Sequence, residues 1–255
     1  INLAEKNFTR AVEILRTLRT QKSASAEVIN EAIYLQAQTQ ETLGDLNEAH
    51  TLYSELRNLS PHSRWTVSAR SALARLRAKY PDRFGLNTTQ AIVDEADRLV
   101  REREHGQAER LYKKLLDGSP EADLRLRFLT KLADLYLAVR KRSEAIPVLE
   151  QIARDYPETS EAPKALYRIG QVFWNRHDNT KALGYFREVI ERYPTSPYVE
   201  RSRYAAGDIY ESFGRRQEAV ALYSSILGSL PNGQVHDDAA WRLAWLYYRT
   251  GEIER

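Results

Sequence analysis

The chain has 255 residues, of which 42% are hydrophobic and 29% are charged, and its formal net charge is +3 at pH 7. No apolar run approaches the roughly 18 residues that a membrane-spanning helix needs, and so mild a charge gives no electrostatic argument for nucleic-acid binding. Cysteine is absent, which excludes disulfides, thiolate metal ligands and cysteine nucleophiles.

The beginning of the chain predicts irregular helices. The chain is predicted to form helix pairs, and residues 4–20 have the pattern of the second helix of such a pair, standing alone. Their Ala11 and Leu15 have a four-residue spacing that recurs later. Residues 30–61 then form the first complete predicted pair, whose second helix lies in the segment Ala49–Pro61 (AHTLYSELRNLSP).

An extra predicted helix follows this first pair. Its basic residues are Arg64, Arg70, Arg75, Arg77 and Lys79. Its apolar stripe consists of Trp65, Ala69, Leu73, Leu76 and Tyr80. Either the helix lies on an anionic surface such as lipid, or the stripe faces the core and the arginines are its solvated side. The next segment, residues 81–89 (PDRFGLNTT), predicts a joint with a break or bend near residue 85.

In the rest of the chain, one segment recurs every 37 residues. Each copy of this segment begins with alanine, has an aromatic residue or leucine four positions later, and has proline twelve positions later. The copies are Ala108–Pro120, Ala145–Pro157, Ala182–Pro194 and Ala219–Pro231. Because proline lacks an N–H and its ring blocks the preceding turn, we expect it to end the second helix of each pair.

The predicted first helices share a second pattern, in which a small residue is followed three positions later by an aromatic one. These pairs are Ala133 and Tyr136, Gly170 and Phe173, Gly207 and Tyr210, and Ala244 and Tyr247. This spacing puts both side chains on one helix face. The small residue allows the second helix to approach closely.

These columns resemble the tetratricopeptide repeat, in which Leu-Gly, Tyr, Ala, Phe and Pro recur in this order. The resemblance implies an all-α, right-handed superhelical solenoid of antiparallel helix pairs, with about 12 to 13 helices. We expect two regions: irregular repeats with the extra basic helix in residues 1–85, and a regular array in residues 86–255. The chain begins at Ile1 and stops where a further repeat would start, so we expect it to be a piece of a longer protein.

Two finer resemblances concern function. The links DYPETS and RYPTSP resemble those in repeats of bacterial envelope proteins, among them the lipoprotein of the outer-membrane assembly machine and the Tol–Pal-associated coordinator. The helix DDAAWRLAWLYYRTG, residues 237–251, resembles the superhelical N-terminal region of soluble lytic murein transglycosylases. This implies a non-catalytic scaffold of a periplasmic enzyme that acts on peptidoglycan. The alternatives are an envelope adaptor with no enzyme attached, and a cytoplasmic adaptor.

Catalysis by this chain itself is not expected. The transglycosylase resemblance implies a catalytic Glu-Ser pair and a Gly-Leu-Met-Gln segment, but the chain has no methionine. Its Glu211-Ser212 pair falls near the end of a predicted first helix. There is no glycine-rich phosphate loop and no nucleophile–base constellation, and the histidines show no paired spacing for a metal. We predict no cofactor and no metal.

Candidate binding residues lie on the predicted first helices, where they would point into a concave groove. The aromatic candidates are Tyr167, Trp174, Tyr204, Trp241, Trp245 and Tyr248. The basic candidates are Arg127, Lys164, Arg201 and Arg242. Either the rings bind an extended peptide or a glycan strand, or they pack between adjacent first helices and tighten the superhelix. Likewise, the cations either hold carboxylates of a ligand or pair with acidic neighbours.

Overall fold

The computed structural model describes residues 3–21, 23–118, 120–228 and 234–249, and these contain fourteen α-helices and no strand. The helices are α1 (Leu3–Thr20), α2 (Ala26–Leu43), α3 (Leu46–Leu59), α4 (Arg64–Lys79), α5 (Pro81–Phe84), α6 (Thr89–Arg101), α7 (His105–Asp117), α8 (Ala122–Ala138), α9 (Arg142–Asp155), α10 (Glu161–Trp174), α11 (Asn179–Arg192), α12 (Val199–Ser212), α13 (Arg216–Leu227) and α14 (Gln234–Tyr248). The number exceeds the predicted 12 to 13. One helix that the sequence did not predict is α5, a single turn inside the expected joint.

The chain divides into two compact units, residues 1–118 and 119–255. In the first unit, α1 packs on α2, α2 pairs with α3, α4 packs on α3, and α6 pairs with α7. The boundary expected near residue 85 lies inside this unit, just after α5. The predicted all-α fold of helix pairs is confirmed.

Short polar residues start several of these helices. The side chains of Ser25, Asp45 and Thr88 each accept a hydrogen bond from the backbone N–H three residues later. Each thereby satisfies an amide that the first turn leaves unpaired. Gly44 ends α2 at a φ of 86°, a left-handed conformation that glycine adopts without steric cost.

The extra helix α4 turns its apolar stripe to the core. Ala69, Leu73 and Leu76 are buried together with residues of α2 and α3, among them Tyr53. The interpretation that the stripe faces the core is therefore confirmed. Of its arginines, Arg75 extends toward solvent and pairs with Glu41 at 2.9 Å.

A buried ion network joins α3, α4 and α6. The fully buried Arg57 guanidinium donates to both oxygens of Glu102, at 2.6 and 3.0 Å, and to both oxygens of Glu95, at 2.8 and 3.1 Å. From α4, Arg77 donates to Glu95 at 2.9 Å and Arg70 donates to Glu102 at 3.1 Å. Each buried carboxylate therefore has more than one cation, as burial of a charge requires.

The network changes the ionisation of Glu95. Burial acts to raise the pKa of this carboxyl, but hydrogen bonds and charge from Arg77 and Arg57 outweigh it. Its pKa consequently lies below the ordinary value of 4.5. Glu95 is therefore ionised in the folded unit at neutral pH.

The second unit is regular. Its first helices are α8, α10, α12 and α14, and α9, α11 and α13 each pack on the first helix before them and on the first helix after them. Pro157 and Pro194 stand two residues after the last residue of α9 and α11, as predicted. Pro163 lies in the first turn of α10, where proline is tolerated, whereas Pro197 precedes α12 and lies outside it. Pro231 and residues 250–255 lie outside the described residues.

Close packing between the two helices of a repeat explains why a small residue recurs in the first helices. A Cβ atom placed on Gly170 would lie 2.6 Å from the ring of Phe186, and one on Gly207 would lie 2.6 Å from the ring of Tyr223. Real side chains do not approach so closely. In these two repeats, glycine lets the aromatic ring of the second helix sit directly on the backbone of the first. No helix in the described part of the chain is long and apolar enough to cross a membrane.

Candidate functional site

The predicted aromatic residues fall into two groups, and the first group packs inside the repeats. Tyr167 and Trp174 of α10 lie against Phe186, with ring centroids 5.8 and 6.1 Å apart. Tyr204 of α12 lies 5.8 Å from Tyr223 in the same manner. All three predicted residues are half-buried. They fill space between first and second helices, whereas the packing interpretation expected them between adjacent first helices.

The second group lies exposed on α14. The solvent-exposed fractions are 62% for Trp241, 42% for Trp245 and 64% for Tyr248. The three rings form a ladder, with centroid separations of 6.0 and 5.8 Å and nearly parallel planes. So large an exposed aromatic surface is typical of a place where another macromolecule binds.

Two of the four predicted cations pair with acidic neighbours. Lys164 contacts Glu161 on its own helix at 2.9 Å. Arg242 of α14 donates to Asp208 of α12 at 2.6 Å, which links two adjacent first helices. An equivalent ion pair links α10 to α8 through Arg168 and Asp134.

The other two cations, Arg127 and Arg201, are exposed. Neither forms an ion pair with any of the described residues. They stand 74 residues apart, at equivalent positions of α8 and α12. Burial raises the pKa of the Tyr167 hydroxyl while the positive charge of Arg201 opposes this rise.

The side chain of Glu211 contacts Tyr223 and Arg242 and so has a structural role. Its carboxylate accepts a hydrogen bond from the Tyr223 hydroxyl at 2.7 Å and lies 3.8 Å from Arg242. Burial, together with this carboxylate, raises the pKa of Tyr223 far above its ordinary value. The pair fixes the ring that packs on Gly207.

Sequence reasoning missed a cavity of about 410 Å³ between two links of the second unit. Prolines and hydroxyl-bearing residues dominate its lining: Pro157, Glu158, Thr159, Ser160, Pro163, Arg192, Tyr193, Pro194, Thr195, Ser196 and Pro197. The signal was present in the links DYPETS and RYPTSP, which stand 37 residues apart. Facing links of similar sequence form the walls of this solvent-open pocket because the repeats stack in register.

Comparison with known proteins identifies a family pattern in part of the regular region. Residues 130–197 match the family model described as tetratricopeptide repeat. These residues therefore have the tetratricopeptide-repeat pattern, and the helix pairs form a scaffold of a kind consistent with protein–protein interaction. No curated protein matches the chain.

Solved structures similar to the chain include a crystal structure of MamA, with 18% identity, 62% of this chain and 86% of that one covered, and a TM-score of 0.47. BtubC from P. vanneervenii is 17% identical, with 90% and 93% covered and a TM-score of 0.42. The C-terminal part of a TPR repeat-containing protein from Cytophaga hutchinsonii is 15% identical, with 88% and 75% covered and a TM-score of 0.45.

Proposed function

We propose that this chain is a protein-interaction scaffold that binds a carboxylate-bearing peptide segment on the first-helix surface of its second unit. The observation that carries the proposal is the pair of exposed guanidinium groups at equivalent positions of α8 and α12, Arg127 and Arg201. The positive charge of Arg201 opposes the rise that burial causes in the pKa of Tyr167, which lies half-buried on the intervening first helix.

The chemistry of these side chains selects the ligand class. A guanidinium group binds a carboxylate through two parallel hydrogen bonds, which gives geometric selectivity as well as attraction. The ion pairs Lys164–Glu161 and Arg242–Asp208 hold neighbouring charges in place. Acidic side chains of a peptide, or its carboxyl terminus, therefore fit this surface better than basic segments do.

The biological setting is a finer part of the proposal. We propose the non-catalytic scaffold of a periplasmic lytic transglycosylase, because the sequence of α14 resembles the helical region of those enzymes. The links DYPETS and RYPTSP support an envelope setting more generally. They equally support the alternative, an envelope adaptor of the outer-membrane assembly or Tol–Pal type with no enzyme attached.

A peptide array tests the binding proposal. Peptides with two or more acidic residues bind the wild-type chain, and binding weakens as salt rises, because exposed charges are screened. The double variant Arg127→Ala and Arg201→Ala binds such peptides about tenfold more weakly, since each exposed ion pair contributes roughly 0.2–1 kcal/mol. Arg187→Ala, on the second helix α11, is the matched control and leaves binding unchanged. Equal binding by the double variant and the control would refute the surface.

A second experiment separates the two settings. The native protein is compared with the 29.4 kDa of this chain by intact mass and by a peptidoglycan zymogram. A mass larger by about one domain, on the order of 100–200 residues, with a cleared band supports the lytic enzyme. A slightly larger mass without clearing refutes it and leaves the adaptor.

A further inference from the structure

The contact between α3 and α6 differs in its chemistry from the corresponding contacts of the second unit. In α11, Leu183 and Ile190 pack against an apolar cluster that includes Ile209 of α12, the next first helix. The equivalent positions of α3, one and eight residues after the repeat alanine, hold His50 and Arg57. Side chains that are apolar in the later repeat are therefore ionisable here.

The facing positions of α6 have changed in the same way. Glu95 stands where the next first helix has Leu132, and Glu102 stands where the chain after that helix has Val139. Both carboxylates accept hydrogen bonds from Arg57. Ionisable side chains thus replace apolar ones on both sides of the α3–α6 contact.

The ions of this contact do not balance. Hydrogen bonds of 2.6–3.2 Å connect four guanidinium groups to three carboxylates. The guanidinium groups are those of Arg57, Arg70, Arg77 and Arg98, and the carboxylates are those of Glu95, Glu102 and Glu104. One positive charge is therefore in excess in a largely buried cluster, and a further cation nearby is unfavourable.

His50 lies half-buried on the same face of α3 as Arg57. The two residues are seven positions apart, which places them about 10 Å apart along the helix axis. The imidazole of His50 stacks on the ring of Phe84 in α5, with centroids 4.7 Å apart and an interplanar angle of 10°. The charged groups that surround it are Arg57 on α3, Arg77 on α4, Arg83 on α5, and Glu95 and Arg98 on α6.

This environment favours the neutral imidazole. Burial lowers the pKa of His50 below its ordinary value of 6.5, and the positive charges of Arg77 and Arg98 lower it further. The negative charge of Glu95 acts in the opposite direction without outweighing them. His50 is therefore uncharged at neutral pH, and its protonation would add a second excess positive charge to the contact.

We infer that the α3–α6 contact is pH-sensitive, and that protonation of His50 at mildly acidic pH favours the release of α6 from α3. When the contact opens, the imidazole leaves its positive surroundings and takes up a proton at its ordinary pKa, whereas the closed contact resists protonation until the pH is lower. The stability that His50 contributes to the closed form is thus complete above 6.5 and decreases as the pH falls from 6.5 to the lower folded-state value.

This device belongs to the first unit and is independent of the proposed peptide-binding surface, which lies on the second. It also differs in its pH range from the effect of Glu95, whose pKa lies below 4.5. The two ionisable groups of the same contact can therefore be distinguished by the pH at which protection changes.

Amide hydrogen exchange of the full chain tests the inference, because protection factors correct for the direct effect of pH on exchange. Between pH 7.5 and pH 5.5, the protection of the most stable amides of α6 should fall several-fold, and by at most about tenfold, which is the limit for one histidine. Amides of α12, which packs on the apolar face of α11, are the internal reference and should change less than twofold.

Two variants remove the titrating group. His50→Leu places at this position the residue that α11 has, and His50→Gln keeps a polar, uncharged side chain. Protection of α6 in both variants should no longer change between pH 7.5 and pH 5.5. His62→Gln replaces an exposed histidine of the same unit, so it is the matched control and should retain the wild-type dependence.

An NMR titration of the imidazole of His50 gives a second, direct readout, with an expected midpoint below 6.5. Four outcomes would overturn the inference. They are a midpoint at or above 6.5, a wild-type change in α6 of less than twofold, an equal change in α12, and a dependence that persists in both His50 variants or disappears in His62→Gln.

Discussion

Replacement of Arg57 by methionine removes the central cation of the buried network and leaves an unbranched, uncharged side chain in its place. Arg57 makes four hydrogen bonds of 2.6–3.1 Å to two carboxylates, and none of these groups is more than slightly exposed. Removing one partner of a buried ion pair costs about 3–5 kcal/mol, because the other charge stays buried without its partner. Here Glu95 keeps Arg77, and Glu102 keeps Arg70. We therefore expect the lower end of this range, about 3 kcal/mol.

Native-state hydrogen exchange measures this cost where it arises. The chain has two units, so a single two-state free energy of unfolding is not well defined for it. A loss of about 3 kcal/mol corresponds to roughly a hundredfold faster exchange of the most protected amides in α3, α4 and α6. Arg187→Met, which removes an exposed ion pair with Glu191, is the control and should change protection by less than threefold. Unchanged protection in Arg57→Met, or higher protection, would show that the network contributes no net stability.

Three further predictions concern packing, titration and capping. Gly170→Ala should destabilise the second unit by about 1–3 kcal/mol through its clash with Phe186, whereas Gly184→Ala, a helical position with open space, should stabilise it by roughly 0.8–1 kcal/mol; hydrogen-exchange protection of α10 and α11 in both variants checks the opposite signs. The pKa of Glu95 is depressed on folding, so its contribution to stability is complete above 4.5 and is lost as the pH falls through the lower folded-state value; exchange protection of α6 that does not change from pH 6 to pH 3 would contradict this. Thr88→Ala should cost about 1 kcal/mol by removing the N-cap of α6, and Thr88→Ser should restore most of it, as hydrogen-exchange protection of α6 can show.

The regular part of the fold could be predicted because each of its columns has one physical purpose. Alanine and proline at fixed distances identified the second helices, and the small residues identified where the helices touch. Ala145, Ala182 and Ala219 are indeed fully buried. Stacking in register imposes the same environment at every period, so one repeat predicts the next.

The ion network could not be predicted in the same way, because charged residues on amphipathic helices usually face water. A signal was nevertheless present. Arg57 stands eight residues after its repeat alanine, where Ala153 and Ile190 stand in later repeats. Glu95 directly precedes a small residue, where Leu132 stands in the next repeat. When two repeat positions that are apolar in the other repeats hold opposite charges on neighbouring helices, they indicate a buried ion pair.

The candidate site was predicted only in part. Sequence spacing placed the aromatic residues on the first helices, but spacing alone does not distinguish a ring that packs against a second helix from one that faces solvent. That distinction depends on whether a second helix covers the position, as α11 covers Tyr167 and as no described helix covers Trp241. Which cations remain unpaired likewise depends on neighbours in space, such as Asp208 for Arg242.

The buried network also has a consequence for how the first unit opens. In a stack held by contacts between adjacent helices, a helix can fray and rejoin without disturbing distant ones. Arg57 instead ties α3 to α6, which are separated along the chain by α4 and α5, and Arg70 and Arg77 tie α4 to the same carboxylates. Opening α6 removes both carboxylates from Arg57, and opening α3 or α4 removes part of the positive charge that holds Glu95 and Glu102. The three helices therefore form a single cooperative unfolding unit, so that a protease able to cut only an opened chain would meet all three helices opened together or none.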